Sequence, residues 1–202
     1  MLGICGGSGS GKSTLATACA GQKDDGHVAT LAFDAYYRDL GHLTPDERRA
    51  VNFDHPDSLD VELFTAHIDA LRTGSAVGVP VYDFAAHTRT GEHVVVEPAP
   101  VVVVEGILLL CMEAIRRRLD HAVFLDVPED VRFERRLARD LVERGRDEAD
   151  VRRQFAESVA PMHDEFVQPF GTRADRVAQH PWDVMDLAAS VLDSTQAAFD
   201  RI

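Results

Sequence analysis

The stretch "GGSGSGKST", Gly6 to Thr14, carries the full pattern G-x-x-x-x-G-K-[ST], with Gly6, Gly11, Lys12 and Ser13 at the required positions. A short apolar run, "MLGIC", precedes it, and an apolar helical pattern from Lys12 to about Ala20 follows. Glycines let successive backbone N–H groups curl around phosphate oxygens, and the following helix N-terminus favours negative charge. A lysine at this position reaches the terminal phosphates, and the hydroxyl after it can ligate magnesium. The whole run Gly6, Gly7, Ser8, Gly9, Ser10, Gly11, Lys12, Ser13 and Thr14 is therefore the expected nucleotide-binding loop. A glycine-rich turn without ligand is the competing reading, and it leaves the lysine and serine unexplained.

Working outward, "HVATLAFD" reads as a second strand ending at Asp34, "LTPDERR" as a short helix, and "VELFTAHIDALRTG" as an amphipathic helix with a Gly stop. "VGVPVYDF" and "GEHVVVEP" read as extended segments around "AAHTRTG", a hairpin excursion over about 76–97. "PVVVVEGILLL" has the continuous apolar character of a parallel strand covered on both faces. The strand "HAVFLDV", a helical arginine-rich segment over about 130–150, further helix, a short extended segment near Ala174 to Gln179 and a last helix from "PWDVMDL" complete the order. Strands alternating with helices predict one α/β domain over residues 1–202, with a parallel sheet between helical layers.

The 202 residues carry a formal charge of −13, which argues against nonspecific binding to nucleic acid or an anionic membrane, and the only lysines are Lys12 and Lys23. Three cysteines in apolar surroundings argue against a disulfide framework, and neither the start of the chain nor "VVVVEGILLL" reads as a signal or a membrane span. A cytoplasmic protein is expected.

Ligands of parallel sheets gather beyond the C-terminal strand ends, which puts Asp34 in the same crevice as the glycine loop. Its carboxylate serves as proton acceptor, as a magnesium ligand through water, or as a cap for the next turn. Glu105 follows four valines, where a charge is costly unless paired, hydrated or bound to metal. Asp54 fits either the turn before Pro56 or a pair of sugar hydroxyls. In "VYDFAAHTR", Tyr82 and Phe84 share a face if extended, and His87 follows a change of direction. Such a group holds a flat polar ring or packs a hairpin. Arg132, Arg136 and Arg139 share one helical face, with acids Glu134, Asp140 and Glu143 interspersed. They stabilise phosphate charge or form a salt-bridged surface, and Gly145 supplies a turn after them.

Taken together, "GGSGSGKST", "DAYYRDL", "NFDHPDSLD", "PVYDFAAHTR", "VVVVEGILLL", "FLDVPEDVRFERRLARDLVERGR" and "FAESVAPMHDEFVQP" resemble the uridine kinase (uridine-cytidine kinase) family, in the family order through about Pro169. The resemblance implies a P-loop NTPase fold of the nucleoside and nucleotide kinase type: a central five-stranded parallel sheet flanked by helices, a nucleoside-contacting hairpin and an arginine-rich lid. It implies transfer of the ATP or GTP γ-phosphate to the 5'-hydroxyl of uridine or cytidine, with Mg²⁺ as cofactor. By that likeness Asp34 is the general base, with Lys12, Arg136 and Arg139 also catalytic. Ser13, Glu105 and, through water, Asp34 form the metal site. Asp54 binds the ribose, Tyr82, Phe84 and His87 contact the pyrimidine, and Tyr37, Arg146 and Gln154 help hold the nucleoside, with Arg136 beside them. A homo-oligomer, such as a tetramer, is also implied. The chain departs from the pattern at Phe33 and Ala35, in a shortened link after the first helix, and in the weakly apolar "RVAQHPW". Two rivals are a related P-loop kinase acting on another small hydroxyl substrate, such as a phosphorylated sugar or pantothenate, and a noncatalytic nucleotide-dependent switch. The switch has no need of Asp34, Asp54 and an aromatic pocket together.

Overall fold

The computed structural model describes residues 1–22 and 26–199; Lys23 and part of the shortened link lie outside the described residues. In chain order, β1 (Leu2–Gly6) leads through the glycine loop into α1 (Lys12–Gly21) and β2 (Val28–Ala32). Short α2 (Pro45–Arg49) and longer α3 (Val61–Arg72) precede the strands β3 (Val77–Asp83) and β4 (Thr88–Val96). Next come β5 (Val101–Glu105), α4 (Glu113–Arg116), β6 (His121–Asp126) and α5 (Glu129–Val142). The chain closes with α6 (Glu148–Gln154), a π turn (Phe155–Val159), α7 (Ala160–Phe166), β7 (Arg176–Gln179) and α8 (Val184–Phe199).

Five strands form a parallel sheet in the order β2-β5-β1-β6-β7. The four valines of β5 need no polar alternation because both faces are covered. Val102 and Val104 join a core with Leu31, Phe33, Phe64 and Phe124, while Val101 and Val103 join Leu2, Ile4, Leu15 and Val191 on the other side. The weakly apolar segment after Ala174 is the edge strand β7, which pairs only with β6 and so has less to bury. β3 and β4 make a separate antiparallel hairpin whose register shifts between Pro80 and Tyr82, where proline offers no N–H to the ladder.

Three boundaries differ from the sequence reading. β2 stops at Ala32, and Phe33–Tyr36 form a 3₁₀ turn, so Asp34 stands in that turn, two residues past the strand rather than on it. The cause is Phe33, whose ring turns into the core and stacks on Phe64 at 4.3 Å, while Tyr36 meets the same ring edge-on at 4.8 Å. β5 ends at Glu105, and the buried Leu108, Leu109 and Leu110 belong to the following turn. The hairpin loop is only Phe84–His87, because Thr88 and Arg89 already pair with Asp83 and Tyr82.

Phe64 thus anchors Phe33 and Tyr36, the two ends of the turn that carries Asp34. Phe64→Ala is expected to lower unfolding free energy by about 3–5 kcal/mol in a denaturant titration. A loss under about 1 kcal/mol would show that the turn carrying Asp34 is held by something else.

Candidate functional site

Gly9 and Gly11 adopt left-handed φ values of 80° and 95°, which give the loop after β1 its curl. A Cβ at Gly9 would stand 2.1 Å from the backbone oxygen of Arg132, so α5 lies directly against the loop and admits no side chain there. Lys12 Nζ donates to the Gly7 carbonyl at 3.0 Å. The first turn of α1 has no acidic residue and no side-chain cap, so its free N–H groups remain available to an anion.

Ser13 Oγ donates to Glu105 Oε1 at 2.9 Å, joining the start of α1 to the end of β5. Glu105 is 7% exposed, and burial pushes its carboxyl above the ordinary value, with the negative charge of Asp34 adding to the effect and Lys12, Ser13 and Arg139 opposing it. A hydroxyl and two neighbouring carboxylates form an all-oxygen donor set. Among the described residues no group of three or more His, Cys, Asp or Glu makes a closed metal cage. Mg²⁺ needs none, since it binds through one or two carboxylates and completes its shell with water and phosphate. A divalent cation beside Glu105 would also relieve the mutual repulsion with Asp34, so the residues fit it.

Asp54 is 8% exposed and accepts from Ser158 Oγ at 3.2 Å; Ser158 also donates to Asn52 Oδ1 at 2.9 Å. Burial raises the Asp54 pKa, Arg136 and the Ser158 hydrogen bond lower it, and Asp34 raises it again. Asp34 and Asp54 are therefore electrostatic neighbours across the crevice. Aromatic rings line the side towards the hairpin. His87 stacks on Phe53 at 4.7 Å and 14°, Phe53 meets Tyr37 at 5.4 Å, Tyr37 meets Tyr82 at 5.2 Å, and Tyr82 meets Phe84 at 5.3 Å. Tyr82 is buried on the strand, whereas Phe84 begins the loop and is 39% exposed. The carboxylate of Asp83 accepts from the backbone N–H groups of Ala85 and Ala86, and His87 closes the loop at a φ of +53°. Burial and the nearby Arg146 hold the His87 pKa below its ordinary value, so the imidazole is neutral at pH 7.

Arg132, Arg136 and Arg139 do share a face of α5. Arg136 donates to Ser8 Oγ at 2.8 Å and to Gln154 Oε1 at 2.9 Å, and Arg146 donates to the same Gln154 oxygen at 2.5 Å. Gly145, at a φ of +58°, turns the chain so that Arg144 and Arg146 come back over α5, and Arg144 lies 4.7 Å over the Phe84 ring. The expected site residues therefore form one crevice bounded by glycine loop, acids, aromatics and arginines. Sequence reasoning missed Asn52, Phe53, Arg144 and Ser158. Phe53 and Asn52 flank Asp54 and were available by proximity, and Arg144 by the symmetry of "RGR". Ser158, more than a hundred residues from Asp54, gave no local signal. Phe33 and Ala35 do not face the crevice: both pack into the core, which accounts for their apolar character.

Residues 1–184 match the phosphoribulokinase/uridine kinase family. The uridine kinase of Chloroflexus aurantiacus is 45% identical over 175 residues, covering 87% of this chain and 84% of that protein. The uridine kinase of Shewanella halifaxensis is 46% identical over 180 residues, with 87% and 84% covered. Among solved structures, a candidate fructose transport system kinase from Silicibacter sp. superposes with a TM-score of 0.70 at 23% identity over 88% of both chains, a likeness of fold.

Behind the loop, a Cβ at Gly7 would meet Arg132 Nη1 at 2.7 Å and His163 Nδ1 at 2.8 Å, and His163 Nε2 pairs with Gln168 Oε1 at 3.0 Å. Burial, then Arg132, pushes the His163 pKa down from 6.5 to about 4. Below pH 6.5 the unfolded chain protonates this histidine and the folded one does not, so its contribution to stability is present at pH 7 and lost as pH falls towards 4. At pH 5 the loss is on the order of 2 kcal/mol. His163→Gln should therefore show a shallower fall in unfolding free energy between pH 7 and pH 5 than wild type. Parallel profiles would exclude this histidine as the source.

Proposed function

The chain belongs to the phosphoribulokinase/uridine kinase family, and we infer that it transfers the γ-phosphate of ATP or GTP to the 5'-hydroxyl of uridine or cytidine, giving UMP or CMP. The observation that carries this reading is the meeting, in one crevice, of a phosphate-binding loop, the neighbouring acids Asp34 and Glu105, and a buried Asp54 beside a row of aromatic rings with a neutral histidine. A switch requires only the first of these. The names of the relatives, uridine kinases at 45–46% identity, support the same substrate class.

In this mechanism the glycine loop and Lys12 hold the donor phosphates. Ser13, Glu105 and, through water, Asp34 would hold Mg²⁺, which would supply positive charge to the transferring phosphate. Asp54 accepts hydrogen bonds from the ribose hydroxyls. Tyr37, Tyr82 and Phe84 give the pyrimidine apolar walls, His87 and Arg146 with Gln154 meet its polar side, and the acceptor hydroxyl comes to Asp34. That oxygen bonds to the γ-phosphorus as the bond to the leaving nucleoside diphosphate breaks, and Asp34 takes the hydroxyl proton. Arg136 and Arg139 stabilise the charge spread over the equatorial oxygens. The enzyme acts in the cytoplasm, and we expect a homo-oligomer. Val94 and Val95, exposed on β4, offer apolar surface that a second copy would cover, and light scattering reads the assembly directly.

The deciding experiment offers a panel of nucleosides and other small hydroxyl compounds with Mg²⁺ and ATP or GTP. Product with uridine or cytidine above background nucleotide hydrolysis is expected; transfer only to a sugar or pantothenate would overturn the substrate reading. Asp34→Asn keeps the shape but removes charge and proton-accepting capacity. Its kcat should fall roughly 10²- to 10⁴-fold with much smaller changes in nucleoside and ATP affinity. A folded Asp34→Asn enzyme turning over uridine within about threefold of wild type would remove Asp34 from the chemistry. His87→Ala should weaken the discrimination between nucleosides and leave ATP affinity intact, read as kcat/KM for uridine and cytidine.

A further inference from the structure

Asp140 lies on α5 with its side chain fully buried (0% exposed), inside the arginine cluster rather than on a salt-bridged surface. Arg139 donates to its Oδ1 twice, from Nε at 2.9 Å and Nη2 at 2.7 Å. Arg144 Nε stands 3.7 Å from the same oxygen. Oδ2 has no hydrogen-bond donor among the described residues and is held by charge, 3.5 Å from Arg136 Nε and 3.7 Å from Arg146 Nη1. The Asp140 carbonyl also accepts from the Arg146 N–H at 3.0 Å, which fixes the return of the chain after Gly145. One carboxylate thus gathers four guanidinium groups, and it touches none of the loop, the acids or the aromatic rings.

Four like charges so close repel one another, and each of Arg136, Arg139, Arg144 and Arg146 has a neighbour of the same sign. Where the reaction spreads negative charge, such a group is useful only if it is in place before the phosphate arrives, because reorganising it during transfer forfeits the gain. Arg139 is also in electrostatic reach of Glu105, and Arg144 of Asp34, so the cluster meets the acids on its inner side.

Resting on the kinase reading above, we propose that Asp140 is a positioning residue for phosphoryl transfer: its buried carboxylate converges the four arginines and holds Arg139 towards the acids where the terminal phosphate is transferred. It takes no proton and contacts no substrate.

Asp140→Asn keeps the shape and an acceptor oxygen while removing the charge. Expected per folded molecule are a fall in kcat of about 10²-fold and a rise in the Mg·ATP dissociation constant of about tenfold. In an Arg139→Ala background the same substitution should cost at least about tenfold less, because a residue acting through Arg139 has little left to lose there. A residue that merely stabilises the fold predicts a lower melting temperature, unchanged turnover per folded molecule, and effects that multiply in full in the double variant; any of the last two overturns the proposal. Should the Asn variant fail to fold, Asp140→Glu keeps the charge and displaces it by one methylene. A drop in kcat of about tenfold is then expected, and wild-type turnover would be fatal to the idea. Wild-type protein inert towards every nucleoside would fail the substrate reading instead, while the Mg·ATP affinities of the same variants, titrated calorimetrically without nucleoside, would still decide on Asp140.

Discussion

A carboxylate at the end of four buried valines is the constraint around which the crevice is organised. Glu105 cannot stay charged in an apolar strand without compensation, and the groups that compensate it lie in the same crevice: the Ser13 hydroxyl at 2.9 Å, the ammonium of Lys12 and the guanidinium of Arg139. Asp34 makes matters worse by adding a second negative charge. Two neighbouring acids balanced by a lysine, a hydroxyl and an arginine make a site whose charges suit a divalent cation and a polyphosphate bound together, as the kinase reading requires. The valine layers on both faces of β5 hold Glu105 in place.

The arginine cluster poses the opposite problem, an excess of positive charge, and is balanced in two ways. Asp140 supplies one fully buried negative charge at its centre, and Gln154 supplies a neutral acceptor shared by Arg136 and Arg146. The contact of Arg136 with Ser8 then ties the cluster to the glycine loop, and that of Arg144 with Phe84 ties it to the hairpin. Donor and acceptor sides are in this way joined through α5 and the turn that follows it.

Much of this was legible where the determinant is local. The glycine loop follows from nine consecutive residues, and the five-stranded sheet from the alternation of apolar runs with helical periods. Asp34 and Glu105 were found because each stands where a strand runs out. Less legible was anything needing a return of the chain. The arginine spacing of four and three marked one face of α5, but that Asp140 lies buried among the arginines depends on the left-handed Gly145 bringing Arg144 and Arg146 back. Ser158 reaches Asp54 from within the π turn that joins α6 to α7, a contact with no period to betray it. The end of β2 was misplaced because "LAFD" is as good a strand as "LA" until Phe64 offers Phe33 a partner in the core.

The hairpin shows how the residue at its tip, His87, is held by its surroundings. β3 and β4 form no part of the main sheet, but Val77, Val79 and Tyr82 bury themselves in its core, and polar ties add to that anchorage: Arg89 to the Tyr37 carbonyl at 2.9 Å and to Asp60 at 3.1 Å, and Thr88 to Asp39 at 2.8 Å. Those same ties draw the segment carrying Tyr37 under Tyr82, so the aromatic row is assembled by contacts at its edge. His87 sits at the tip in a left-handed conformation that few side chains adopt, stabilised by Asp83 bonding the two preceding amides and by the Phe53 face beneath its ring. A histidine so placed is desolvated enough to stay neutral, and a neutral imidazole offers one donor and one acceptor. A charged ring would offer donors only, so a neutral ring keeps the acceptor that the kinase reading gives it for the substrate.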